Sequence, residues 1–172
     1  MLLNKSLFDL PPSEIQRFGL ANLTYGSLTT KGLQTLKHTL EPLLKTTIYG
    51  LDLGCGDGEL IYHLQRTLPE SIWEGVEISG HRVAQCKRDV HIWEGDMLEE
   101  NLRPYNVLHA DNLCLDDSIA EELEKKIALE FTGIYITYRQ PQSPCFFKKA
   151  AYIKTVQTQT TWTNHPIHYY RL

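Results

Sequence analysis

The sequence predicts an α/β fold: a mostly parallel sheet with helices on both faces, finished by an antiparallel β-hairpin. Three observations carry this expectation. Short apolar runs alternate with segments of helical spacing between residues 47 and 138, the pattern of successive βαβ units. A glycine-rich loop, Gly54-Cys55-Gly56-Asp57-Gly58, stands at the first strand-to-helix junction. From Tyr152 to Tyr170 the chain is rich in Thr, Val, Tyr and Trp without helical periodicity, which reads as two paired strands joined at Asn164-His165-Pro166.

The elements follow in order. Pro11-Pro12-Ser13-Glu14 is a start signal for a short helix that ends near Gly19. Leu28, Leu33, Leu36, Leu40, Leu43 and Leu44 recur at helical spacing, with Ser27 or Thr29 as the N-cap. Strands are expected at 47–53, 72–77, 90–93, 106–110 and 133–138, with helices at 58–67, 80–88 and 117–130 between them. Residues 1–46 then form an N-terminal helical cap with a covering loop, and residues 47–172 the Rossmann-like core of one compact domain.

Bulk properties narrow the function. The 172 residues suffice for one domain with its own core. The net charge is −4 and no basic cluster exceeds a pair such as Lys148-Lys149, which excludes tight autonomous nucleic-acid binding and suits a cationic substrate. No apolar run reaches the length of a membrane span, so no membrane association is expected. Cys55, Cys86, Cys114 and Cys145 lie far apart with no histidine at ligand spacing. They read as small buried hydrophobes in a reducing, intracellular compartment, with no metal site.

Chemistry concentrates at the strand ends, where open α/β sheets bind ligands. Asp52 precedes Gly54, Gly56 and Gly58 by the spacing of a loop that holds S-adenosylmethionine. Glycine permits the sharp turn and close approach, the following helix start favours the carboxylate of the cofactor's methionine moiety, and Asp52 can receive its ammonium. A dinucleotide loop would carry a third glycine where Glu59 stands, so Glu59 is counted with a methyl-donor site instead. Glu77 ends the second strand, about 20 residues on, where an acid can hold ribose hydroxyls. After the third strand, Asp96 is placed to accept from the adenine amino group and Met97 to pack on the ring. Together these imply a class I S-adenosylmethionine-dependent methyltransferase. The loop after strand four faces the methyl group in such folds. Its Asp111 or Asn112 is therefore placed to orient an attacking amine, with Leu113 and Leu115 as walls.

At this point the chain resembles a family, the non-SET histone lysine methyltransferases named for disruption of telomeric silencing, in a minimal form. The resemblance rests on Tyr25-Gly26-Ser27-Leu28-Thr29, on the Asp52–Glu59 loop with Gly75-Val76-Glu77 and Gly95-Asp96-Met97, on Asp111–Leu115, and on Trp162-Thr163-Asn164-His165-Pro166-Ile167-His168-Tyr169-Tyr170. It implies that the loop with Tyr25 and Thr29 closes over the cofactor. It also implies that Trp162, Ile167 and Tyr169 line a lysine channel with Leu113 and Leu115, with Asp111, Asn112 and Tyr169 in the catalytic role. Asp111 replaces an asparagine of that family, and Leu113 and Leu115 replace two phenylalanines. The implied substrate is an exposed lysine of a histone, nucleosome or other basic protein. Two alternatives stand beside it. One is an amino-group methyltransferase acting on nucleic acid, against which Asp111-Asn112-Leu113-Cys114 lacks the expected prolines and stacking aromatic. The other is a catalytically silent subunit.

Overall fold

A computed structural model describes residues 9–24 and 26–172. Tyr25, expected above the cofactor, lies outside the described residues. Helix α1 (Pro12–Phe18) carries proline in its first turn and stops at Gly19, whose φ of +81° suits a residue without Cβ. Helix α2 (Thr30–Leu40) follows, capped by Thr29 and continued by a 3₁₀ turn, Glu41–Leu43. The core then alternates as β1 (Ile48–Leu53), α3 (Glu59–Thr67), β2 (Ser71–Glu77), α4 (Gly80–Ala84), β3 (His91–Glu94), β4 (Val107–Ala110), α5 (Asp117–Glu130) and β5 (Ile134–Thr137). A one-turn helix α6 (Pro144–Phe147) leads into β6 (Ala151–Gln159) and β7 (Asn164–Arg171).

The seven strands form one sheet in the order β3-β2-β1-β4-β5-β7-β6. The first five pair in parallel, whereas β7 runs antiparallel to both β5 and β6. This is the fold the sequence predicts. Burial explains the strands: β4 and β5 are covered on both faces, and their residues Val107–Ala110 and Ile134–Thr137 are all buried. One apolar cluster packs α2 and α3 on one face around Leu36, Ile61 and Trp73, and another packs α5 on the opposite face around Leu123, Ile127 and Phe131.

The structure corrects three local expectations. Helix α4 ends at Ala84 rather than residue 88. The hairpin turns at Thr160-Thr161-Trp162-Thr163, not at Asn164-His165-Pro166, which instead begin β7. There Thr160 takes the turn's hydrogen bonds through its hydroxyl, and Pro166 is tolerated because β5 pairing ends at His168. Helix α6, which the sequence left unread, is too short to show a period.

Candidate functional site

Strand order reverses between β1 and β4, and the crevice at such a switch point is where α/β sheets bind ligands. Three connected clefts open there, of about 840, 360 and 280 Å³ with their mouths included. The first and second share Gly54 and Asp111, and the second and third share Gly26, Asp111 and Tyr138. Asp111 borders all three.

The largest of these three lies beyond β1, β2 and β3. Leu53, Val76, Ile78, Met97 and Leu98 give it apolar walls, with Glu77 and Asp96 among its polar groups. Asp96 is a turn residue whose Oδ1 accepts from the Leu98 amide at 2.9 Å. Phe18, Asn22 and Thr24 of the N-terminal segment border it, as do Leu115 and Ile119. Leu115 therefore walls this cleft rather than the acceptor channel expected of it.

That N-terminal segment is fastened at three points. Glu14 accepts from the Ser79 hydroxyl and from the His81 amide at 3.1 Å. Asn22 and Asp116 exchange two hydrogen bonds of 2.8 Å. Arg82, buried, donates to the Leu23 carbonyl and lies 3.7 Å from Glu77. Glu77 is a hub: its carboxylate also accepts from the Gly56 amide at 2.8 Å and the Ser79 amide at 2.9 Å.

The glycine loop turns as the sequence requires, with φ of +83°, +60° and +76° at Gly54, Gly56 and Gly58. Its amides point inward, however. Gly54 and Cys55 donate to the Val76 carbonyl and Gly56 to Glu77, while at the start of α3, where free donors are expected, the Glu59 amide donates to Asp57 Oδ1 at 3.3 Å. The shape still fits the cofactor: a Cβ placed on Gly54 would meet nothing within 4 Å, so the backbone there borders open cleft.

The second cleft is acidic, bordered by Asp52, Asp57, Glu59 and Asp111. Glu59 is committed elsewhere, because Arg88 binds it through two contacts of 2.9 Å and holds its carboxyl below the usual range. Asp57 is pushed the other way by burial. The Cys55 thiol is raised well above its ordinary value by burial and then by Asp52 and Glu77, which makes it an inert core residue. Asp52 Oδ1 accepts from His109 Nδ1 at 2.7 Å, both side chains being buried.

The third cleft is a slot between Leu113, Tyr138, Trp162 and His165, with Thr160 and Thr163 at the hairpin turn. Trp162 is 47% exposed, the outer wall of the slot. Gly26 stands between ring and acid: an added Cβ would touch both Asp111 Oδ2 and the Trp162 ring at 3.5 Å. The Gly26 amide donates to Asp111 Oδ2 at 3.0 Å. Asp111 Oδ1 is buried without a hydrogen-bond partner of good geometry, although the Leu113 amide lies near enough to favour the charge. Burial nevertheless raises the Asp111 carboxyl above its usual range.

Six expected site residues border none of the three clefts, among them Gly56 and Gly58, the latter packed toward Val90 and Ile92. Thr29 caps α2 by accepting from the Gly32 amide at 3.1 Å, and its hydroxyl reaches Gln159, so it borders none of the three clefts. Asn112 is buried, and its Oδ1 accepts from the Thr137 hydroxyl and the Tyr138 and Arg139 amides, at 2.8, 3.1 and 3.2 Å. It fixes the end of β5 instead of facing an acceptor. Tyr169 and Ile167 point from β7 into the core beneath α2, where both are fully buried. The alternation of side chains along a strand puts them both on that face. Conversely, the sequence reading passed over His109, Tyr138, Arg82 and His165, although His109 and Asp52 are the polar members of otherwise apolar strands.

With this geometry in hand, comparison with known proteins gives three findings. The family described as "MetW: Methionine biosynthesis protein MetW" matches residues 37–131, more than half of the chain. No curated protein matches it. Among solved structures, magnesium protoporphyrin IX methyltransferase from Synechocystis with bound SAM superposes with a TM-score of 0.60 at 14% identity, over 81% of this chain and 78% of that one. A TehB-like SAM-dependent methyltransferase from Corynebacterium glutamicum does so with 0.60 at 11%, over 83% and 88%. The chain therefore has the class I methyltransferase fold.

Proposed function

The chain belongs to the MetW family, and from that footing we propose that it is an S-adenosylmethionine-dependent methyltransferase whose acceptor is the side-chain amine of a lysine in a protein. The observation that supports this best is Asp111, a half-enclosed acid with one buried, unpartnered oxygen, at the meeting of the donor clefts and the slot under Trp162.

Asp96, Met97 and the apolar walls of the largest of the three clefts would hold adenine, Glu77 the ribose, and Asp52, through the oxygen that His109 leaves free, the ammonium. Bound there, the cofactor supplies an electrophilic methyl on a sulfonium. The rest is work for the chain's own residues. A lysine amine, with a free pKa of about 10.4, arrives protonated and must be neutral to attack. Asp111 draws the ammonium inward, and the indole face of Trp162 favours a cation at the mouth. Inside, burial disfavours both charges, so the proton passes to Asp111 and an uncharged pair occupies the slot. Leu113, Thr160 and His165 exclude water. Orientation of the amine then contributes up to ~7–11 kcal/mol in well-arranged systems.

Methyl transfer from labelled S-adenosylmethionine to core histones, nucleosomes, DNA and RNA, followed by acid hydrolysis of the proteins, tests this. Methyl-lysine is expected. Label in nucleic acid alone overturns the reading in favour of a base-amine acceptor, and label nowhere points to the silent subunit.

A further inference from the structure

Behind the junction of the donor and acceptor clefts runs a buried chain of three polar side chains. Asp52 and His109 are register partners on β1 and β4, so their side chains rise on the same face at neighbouring strand ends. Asp52 Oδ1 lies 2.7 Å from His109 Nδ1, and His109 Nε2 lies 3.3 Å from the Tyr138 hydroxyl. A carboxylate can only accept, so Nδ1 carries a ring proton, and in the neutral ring Nε2 then presents a lone pair. In that neutral tautomer the Tyr138 hydroxyl donates to Nε2, which leaves its oxygen lone pairs facing away from the histidine. Tyr138 itself is fixed from three sides. Its amide is held by Asn112, its ring meets His109 edge-on at 5.4 Å, and its carbonyl accepts from His165 Nε2 at 2.8 Å. Its side chain borders both the acidic cleft and the slot.

Resting on the amine-methylation reading above, we infer that Tyr138 is the hydrogen-bond acceptor for the substrate nitrogen, with His109 and Asp52 as positioning residues that set its hydroxyl. A hydroxyl free to rotate could offer its hydrogen to the amine and occupy the lone pair that must attack. With the hydrogen committed to His109, the oxygen can only accept an amine N–H, and the nitrogen lone pair stays available for the methyl. Burial, followed by the neighbouring Asp111, Tyr169 and Asp52 charges, pushes the Tyr138 hydroxyl well above its ordinary range, so it keeps the proton that this arrangement needs.

The test has two arms. Imidazole ¹⁵N NMR of the wild-type protein without substrate reads the His109 tautomer, and the expected result is a neutral ring protonated on Nδ1. For Tyr138→Phe, S-adenosylhomocysteine affinity by calorimetry is expected to stay within about twofold of wild type. Its kcat on core histones falls on the order of tenfold, with KM nearly unchanged, as for loss of one neutral hydrogen bond in the reacting complex. A ring protonated on Nε2, or a phenylalanine variant that turns over like the wild type, overturns the inference while leaving the proposed function standing. A wild type that labels no amine overturns both.

Discussion

The donor clefts and the acceptor slot are built from the chain in different ways. The residues proposed to hold the donor lie at or just past strand ends: Asp52 and Gly54 at β1, Glu77 at β2, Asp96 and Met97 beyond β3. All lie within the segment that matches the MetW family. The slot is assembled from pieces remote in sequence. Gly26 reaches Asp111 across 85 residues, and Ser27 reaches the hairpin turn at Thr161 across 134. The Gly26–Thr29 segment, Tyr138 and the turn at 160–163 fall outside the family match. The proposed donor half is thus locally encoded and lies within the family match, whereas the proposed acceptor half depends on long-range register.

Three substitutions probe that division. Glu77→Ala is expected to have the largest effect, a loss of about 3–5 kcal/mol, because it removes the carboxylate beside the buried Arg82 and the acceptor of the Gly56 and Ser79 amides. Urea unfolding measures it, and a change below about 1 kcal/mol would show that the donor loop stands without its hub. Asp111→Asn comes next and acts in opposite senses. The folded-state carboxyl pKa is raised, so wild-type stability falls as pH rises from the ordinary carboxyl range through the raised value. The asparagine escapes this, so its Tm should exceed the wild type's at neutral pH. The gap should shrink below about pH 4, where the Asp111 carboxyl is protonated in the folded and the unfolded state alike, while methyl transfer drops. Equal Tm values at neutral pH would remove the argument that Asp111 is held at a cost to stability. Trp162→Ala has the smallest structural effect, within about 0.5 kcal/mol, since the ring is 47% exposed. Turnover should fall by roughly tenfold with unaltered S-adenosylhomocysteine binding. If calorimetry showed the donor affinity falling too, the two halves would not be separable.

How much could be read beforehand follows the same line. Alternating strand and helix patterns, the glycine spacing and the acids at strand ends are local signals, and they placed β1 to β5 and the donor clefts. The acceptor half is not local. Nothing in the run Asn106–Ala110 says that His109 will stand beside Asp52, because that depends on how β4 aligns with β1. Asn112 looked like a catalytic amide, yet it lies one position past Asp111 and turns to the end of β5 instead. Tyr169 and Ile167 share a face of β7, and that face is the core one. A strand sends neighbouring side chains to opposite sides, so only part of the motif around Trp162 can reach a slot.

The position of β7 has a consequence for how the protein is made. It is synthesised after β6 but lies between β5 and β6 in the sheet, so β6 has no neighbour to join until β7 has emerged. The turn at 160–163 that carries Trp162, and the hold it gives Ser27 and Leu28, wait on the same event. A nascent chain halted before Asn164 would therefore already contain every strand that borders the donor clefts, yet have no gate over the acceptor side. The slot under Trp162 therefore closes only after the strands bordering the other two clefts have been made.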